Sequence, residues 1–123
     1  MKKIEFINEA AQREYADLPK KIRDRFALDF EAMVKGDRPF SKSEPVKGTV
    51  GPGAYELKKN GSPAYRLIYC DKGDTIFILS AFSKTTNGVD KPAMKTAAAR
   101  HSKMIEKIEE KKKIEKKKKN GSR

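Results

Sequence analysis

One histidine, one cysteine and twenty-nine lysines and arginines set the chemistry open to this 123-residue chain. With only His101 and Cys70 there is no Cys/His cluster at metal-ligand spacing and no intramolecular disulfide, so neither a structural metal nor a cofactor is expected. A Gly-rich phosphate loop ending in Lys-Ser/Thr, a nucleophile elbow and a metal-spaced His pair are absent from the sequence. Cys70 ends the apolar run Tyr65-Arg66-Leu67-Ile68-Tyr69-Cys70, where a small buried thiol is a better reading than a nucleophile paired with the distant His101. Catalysis, if present, must be built from Arg, Lys, Glu, Tyr and one His. That set suits cleavage of RNA by its own 2′-hydroxyl, in which the enzyme stabilises a doubly charged phosphorane and moves protons without a metal or a covalent intermediate. Cations held on a rigid sheet would serve it.

The elements able to position such groups follow from hydrophobic spacing. The length fits one domain, and equal shares of hydrophobic and charged residues, 37% each, leave material for one modest core. Lys3-Ile4-Glu5-Phe6-Ile7 alternates as a short strand, Asn8 is a good N-cap, and Ala11, Tyr15 and Leu18 share a helical face. Pro19 then opens a second helix over about 19–35, carried by Ile22, Phe26, Phe30 and Met33 and stopped at Gly36. Residues 36–53, with four Gly and three Pro, have loop composition. Three strands follow, Ala54–Lys59, Ala64–Cys70 and Thr75–Phe82, divided by Asn60-Gly61-Ser62-Pro63 and Asp71-Lys72-Gly73-Asp74, and they predict an antiparallel meander. Alternation sets Tyr55 and Leu57 against Glu56 and Lys58, sets Tyr65, Leu67 and Tyr69 against Arg66, Ile68 and Cys70, and groups Ile78, Ser80, Phe82 and Lys84. Tyr55, Tyr65 and Tyr69 are expected in the core rather than as base-stacking platforms. From Lys91 an Ala-rich helix leads through Met104, Ile105 and Ile108.

The net charge of +12 is unevenly placed. Residues 1–37 carry eight cations and eight anions, residues 38–100 eleven and five, and residues 101–123 ten and four. The helical hairpin is therefore neutral, and the excess lies on the sheet region and on a terminal lysine arm, the pattern of a polyanion-binding protein. No apolar run approaches a membrane span and MKKIEFINEA lacks a signal-peptide core, so a soluble cytoplasmic protein without a membrane partner is expected. Residues 106–123 read as a lysine-rich helical or disordered tail, open to interpretation as a solubility arm, an electrostatic tether to RNA or a membrane-surface helix.

Tyr55-Glu56-Leu57-Lys58, Tyr65-Arg66-Leu67-Ile68-Tyr69 and Ile78-Leu79-Ser80-Ala81-Phe82-Ser83-Lys84-Thr85-Thr86, followed by Pro92 and an Ala-rich helix to Arg100, resemble the HigB-like, phage-associated branch of the RelE/ParE toxin superfamily. The resemblance covers roughly residues 3–105. It implies one α+β domain over residues 1–105, in which an N-terminal strand and a helical hairpin pack on a small antiparallel sheet with a C-terminal helix. It further implies the toxin of a type II toxin–antitoxin pair, an endoribonuclease that enters the ribosomal A site, cleaves mRNA and is restrained by a cognate antitoxin, expected to be a helix-turn-helix protein. Arg66 matches the family's strand arginine at the scissile phosphate, and Lys84 the basic residue at the exit of the last strand. On that frame Glu56 would take the 2′-hydroxyl proton, and Lys58 or His101 would protonate the leaving 5′-oxygen. Lys58, Lys59, Thr85, Thr86, Arg100 and His101 would contact RNA. The chain departs from the RelE pattern in having Ala54 and Glu56 where catalytic lysines stand, and in lacking a clear tyrosine after the last strand. Glu56 and Arg66 also suit a plain cross-strand ion pair, worth about 0.2–1 kcal/mol if exposed. Lys84-Thr85-Thr86 also suits a polar strand exit, and His101 a bystander on its helix. A ParE-like gyrase poison and a non-catalytic basic nucleic-acid-binding module are the competing functions.

Overall fold

The computed structural model describes residues 1–85 and 88–121, with side chains described through Glu115. The chain forms β1 (Lys3–Phe6), α1 (Glu9–Ala16), α2 (Lys20–Val34), β2 (Lys42–Pro45), β3 (Ala54–Lys59), β4 (Ala64–Asp71), β5 (Thr75–Lys84) and α3 (Lys91–Gly121). The strands make one sheet in the order β1-β5-β4-β3-β2. Antiparallel pairing of β3, β4 and β5 realises the meander, and β1 joins its β5 edge in parallel, from Lys3 opposite Thr75 to Phe6 opposite Ile78. The α+β architecture is that expected, with a mixed rather than wholly antiparallel sheet.

Local chemistry explains the helical hairpin. The Asn8 side chain accepts a 2.8 Å bond from the Ala11 amide and so caps α1. Pro19 sits one residue before α2 with extended ψ, as its N-cap. The corner between the helices is tied by Tyr15 Oη donating to the Arg23 carbonyl at 2.6 Å and by Arg23 Nε donating to the Leu18 carbonyl at 3.1 Å.

Each face of the sheet has its own core. Leu57, Leu67, Tyr69, Ile76 and Ile78 pack against Leu18, Phe26 and Met33 of the hairpin. Ala54, Ile68, Cys70, Phe77 and Leu79 pack against Met94, Ala97 and Met104 of α3. Cys70 is buried, and desolvation pushes its thiol pKa up, which makes it a poor nucleophile.

Three sequence expectations fail here. Alternation groups Ile78 with Ser80, Phe82 and Lys84, but the pairing shifts between Leu67 opposite Ala81 and Tyr69 opposite Ile78. The extra residue of this bulge turns Ile78 toward the hairpin core, while Phe82 stays on the α3 side. The stretch 36–53 is not all loop either, because Lys42–Pro45 pairs with β3 as an edge strand. Its approach is anchored by buried Asp29 of α2, which accepts from the Ser41 amide at 2.9 Å and the Ser41 hydroxyl at 2.6 Å. Asp29→Ala leaves the Ser41 amide without its charged acceptor. It is expected to lower unfolding stability by about 2–3 kcal/mol, read as a lower urea midpoint with unchanged slope. Tyr55, expected in the core, is 37% exposed and stacks on buried Tyr69 with ring centroids 5.6 Å apart.

The helix α3 continues unbroken past Ile105–Glu106, so the packed helix and the lysine arm are one element. No helix among the described residues is long and apolar enough to cross a membrane.

Candidate functional site

The pairing of β2 through β5 gathers charged side chains at one end of the sheet, on the face that α3 covers elsewhere. Glu44 stands opposite Glu56, and Lys42 opposite Lys58. Lys58 in turn stands opposite Arg66, and Arg66 opposite Phe82. Because successive residues alternate faces, Glu56 and Lys58 project together with Arg66 from the next strand, and Lys84 shares the side of Phe82.

Within this group Glu56 and Arg66 are each only 8% exposed. Arg66 Nε lies 3.7 Å from Glu56 Oε1 and Lys58 Nζ 3.9 Å from the same oxygen, distances of charge pairing beyond hydrogen-bond reach. Lys58 gives its short contact to Glu44, at 2.8 Å, and Lys42 approaches the other Glu44 oxygen at 3.4 Å. The Arg66 fork is held by a 3.1 Å bond from Nη1 to the Tyr65 carbonyl. Among the described residues no carboxylate oxygen lies within 4.0 Å of Lys84 Nζ.

The two carboxylates facing each other across β2 and β3 are driven apart. Burial raises the Glu56 pKa above its ordinary value, with Arg66, Lys58 and Lys84 opposing and Glu44 assisting. Hydrogen bonds from Lys58 and then Lys42 lower that of Glu44. A carboxylate raised by its surroundings beside one held ionised is the arrangement from which proton-transfer roles are made. Glu44 has no counterpart among the residues that the sequence singles out. Lys42-Ser43-Glu44-Pro45 lacks the branched and aromatic residues that mark a strand, and only its pairing with β3 reveals it.

A cavity of about 440 Å³ opens beside the group. Val46, Phe82 and Met94 form its apolar side, and Glu44, Glu56, Asp90, Lys58 and Lys84 its charged side. Lys58 and Lys84 offer an anion two cations there beside three carboxylates, and Val46, Phe82 and Met94 offer an apolar wall.

The remaining expected site residues are dispersed. Lys59 points to the opposite side of β3, where its Nζ donates to the Asn60 carbonyl at 3.3 Å. Thr85 is exposed just past β5, and Thr86 lies outside the described residues. Arg100 makes a two-pronged pair with Glu14, 2.7 Å on each arm, and donates to the Leu79 carbonyl at 2.9 Å. Glu14 also accepts from the Ala81 amide at 3.3 Å. Arg100 and Glu14 together therefore satisfy the backbone of β5 beyond Phe6, where β1 ends. His101 is buried, with Nε2 2.9 Å from the Pro52 carbonyl. A β-carbon at Gly51 would stand 2.5 Å from its ring, so only glycine admits that approach. The structure thus brings Glu56, Lys58, Arg66 and Lys84 together and turns Arg100 and His101 into the fold. Among the described residues no group of three His, Cys, Asp or Glu side chains is arranged to hold a metal ion.

A five-stranded sheet with a helical hairpin on one face and a C-terminal helix on the other, bearing cations at its open end, is a RelE-like α+β fold. The model of the phage-derived Gp49-like protein family (DUF891) matches residues 13–102, and the chain belongs to that family, one of RelE-type, toxin-like proteins. The match takes in the second half of α1, all of α2, the meander, the charged group and the first part of α3. It leaves out β1 and the lysine arm. No curated protein matches the chain.

Proposed function

We propose that the chain is the toxin of a type II toxin–antitoxin pair, of the HigB-like branch, and acts in the cytoplasm as a ribosome-dependent mRNA endoribonuclease. The observation that carries this reading is the nearly buried Glu56 carboxylate, charge-paired but not hydrogen-bonded to Arg66 and Lys58 at the rim of the cavity. A purely structural ion pair gains most from short, aligned hydrogen bonds. Here Glu56 lines the cavity 3.7 Å from Arg66 Nε, without a hydrogen bond to either cation.

Glu56 takes the 2′-hydroxyl proton, and the 2′-oxygen electron pair forms the new bond to phosphorus. Arg66 and Lys84 hold the added negative charge of the phosphorane. The bond from phosphorus to the 5′-oxygen then breaks, and the leaving oxygen takes a proton from Lys58. The products are a 2′,3′-cyclic phosphate and a 5′-hydroxyl end. Of the two donors considered from sequence, Lys58 is at the site and His101 is held at Pro52. Arg66 acts by charge alone, because its reference pKa above about 12 forbids acid catalysis. The antitoxin partner is expected to be a helix-turn-helix protein encoded beside this chain.

Expression in cells followed by mapping of mRNA 5′ ends tests the reading. Growth arrest with new ends on translated messages is expected, relieved by Lys84→Ala. Arrest with intact messages and broken DNA would instead indicate a gyrase poison, and absence of arrest would remove the toxin reading.

A further inference from the structure

The helix α3 is 31 residues long, about 46 Å at 1.5 Å per residue, yet only its first part has work in the core. Met94, Ala97, Met104, Ile105 and Ile108 pack on the sheet, and among the described residues none after Ile108 joins either core. Ile114, the one apolar residue farther on, is 52% exposed. Residues 111–119 hold seven lysines against one glutamate. Lys107 is paired with Glu5 at 2.9 Å. Among the described residues no carboxylate lies within 4.0 Å of the amino groups of Lys111, Lys112 and Lys113. Lysines spaced four apart on a helix, as at positions 107 and 111, repel one another. Such an arm gains from a polyanion, which replaces that repulsion with attraction and releases bound counterions.

We propose that the arm of α3 is a second RNA-binding element, which grips the sugar–phosphate backbone of double-helical RNA without reading its sequence. The proposal rests on the nuclease reading for the kind of nucleic acid and extends it to a site outside the family-matched residues 13–102. A membrane surface fits less well, because an interfacial helix must bury an apolar stripe and Ile114 alone is no stripe. The spacing defines what the arm can touch. Lys113 lies nineteen residues along the helix from Met94, which lines the cavity, about 28 Å away. The nucleotides at Glu56 and Arg66 are therefore out of its reach, and it meets a separate, structured segment.

The test is binding of the full-length chain, carrying Glu56→Gln so that RNA stays intact, to a 16-base-pair RNA hairpin and to a tetranucleotide between 50 and 200 mM salt. Changing the seven lysines of 111–119 to glutamine, a comparable helix former, is expected to weaken hairpin binding at least tenfold at the lower salt. It should also flatten the plot of log affinity against log salt by about 3 or more, at roughly 0.7–0.9 for each phosphate no longer neutralised. Tetranucleotide binding should not change, and the same positions as arginine should keep hairpin binding. Equal salt slopes with and without the lysines, or equal loss on both RNAs, would overturn the proposal. So would lysine-dependent binding to phosphatidylserine vesicles with hairpin binding unaffected. Lysine-dependent hairpin binding in a chain whose Glu56 parent cleaves no message would keep the arm and remove the nuclease reading.

Discussion

Arg66→Ala is expected to reduce mRNA cleavage by about 10²–10³-fold, the cost of removing one preorganised donor from a developing oxyanion. The side chain is 8% exposed and held by the Tyr65 carbonyl, so its charge is aimed before substrate arrives and needs no reorganisation during reaction. Lys84, at the strand exit, supplies a second positive charge but not the planar fork. Arg66→Lys should accordingly recover only part of the loss, because a lysine ammonium presents a point charge where the guanidinium offers two parallel donors. Single-turnover cleavage of a ribosome-bound message, with far-ultraviolet circular dichroism to confirm folding, reads the effect. A loss smaller than about threefold would make Arg66 a structural cation.

Glu56→Gln is expected to lower the same rate by about 10²–10⁴-fold, the usual worth of a positioned general base, while making the folded chain more stable at neutral pH. The opposite signs follow from the raised pKa of Glu56. A carboxyl whose folded pKa exceeds its unfolded value contributes stability fully below the unfolded value, and that contribution is lost as pH rises through the folded value. At neutral pH the ionised form is therefore held at a cost, which the neutral amide removes. Below the ordinary glutamate range the two proteins should converge in stability. Cleavage by the unaltered chain should fall as pH drops through the raised Glu56 value, above the usual range for a glutamate, and the Gln variant should lack that limb. A structural cross-strand ion pair predicts the reverse, a Gln variant that is less stable at neutral pH. Urea midpoints at neutral and acidic pH, set beside rates on one substrate, separate the two.

Neither result depends on the exposed side chains that the basic composition first suggests. Of the charges in the sheet region, Glu56 and Arg66 are nearly buried, and Lys58 and Lys84 line the cavity beside them. Arg100, which by type and position looked like an RNA contact, pairs with Glu14 and closes the edge of β5.

Period and punctuation in the chain determine a good deal by themselves. Asn8, Pro19 and Gly36 delimit the hairpin, the two Gly-containing turns delimit β3, β4 and β5, and alternation puts Glu56, Lys58 and Arg66 on one side of neighbouring strands. These are local consequences of backbone geometry, which repeats every 2 or 3.6 residues whatever lies elsewhere. Tertiary structure alone decides the rest. The strand character of Lys42–Pro45 exists only through its bonds to β3, and with it comes Glu44 opposite Glu56. The bulge that parts Ile78 from Phe82 is set by pairing with β4. Whether Arg100 and His101 meet solvent or the fold depends on where α3 lies against β5 and Gly51–Pro52. Burial, and the raised pKa of Glu56 that comes with it, arise because distant segments remove water from the same small volume, a quantity that no local spacing encodes.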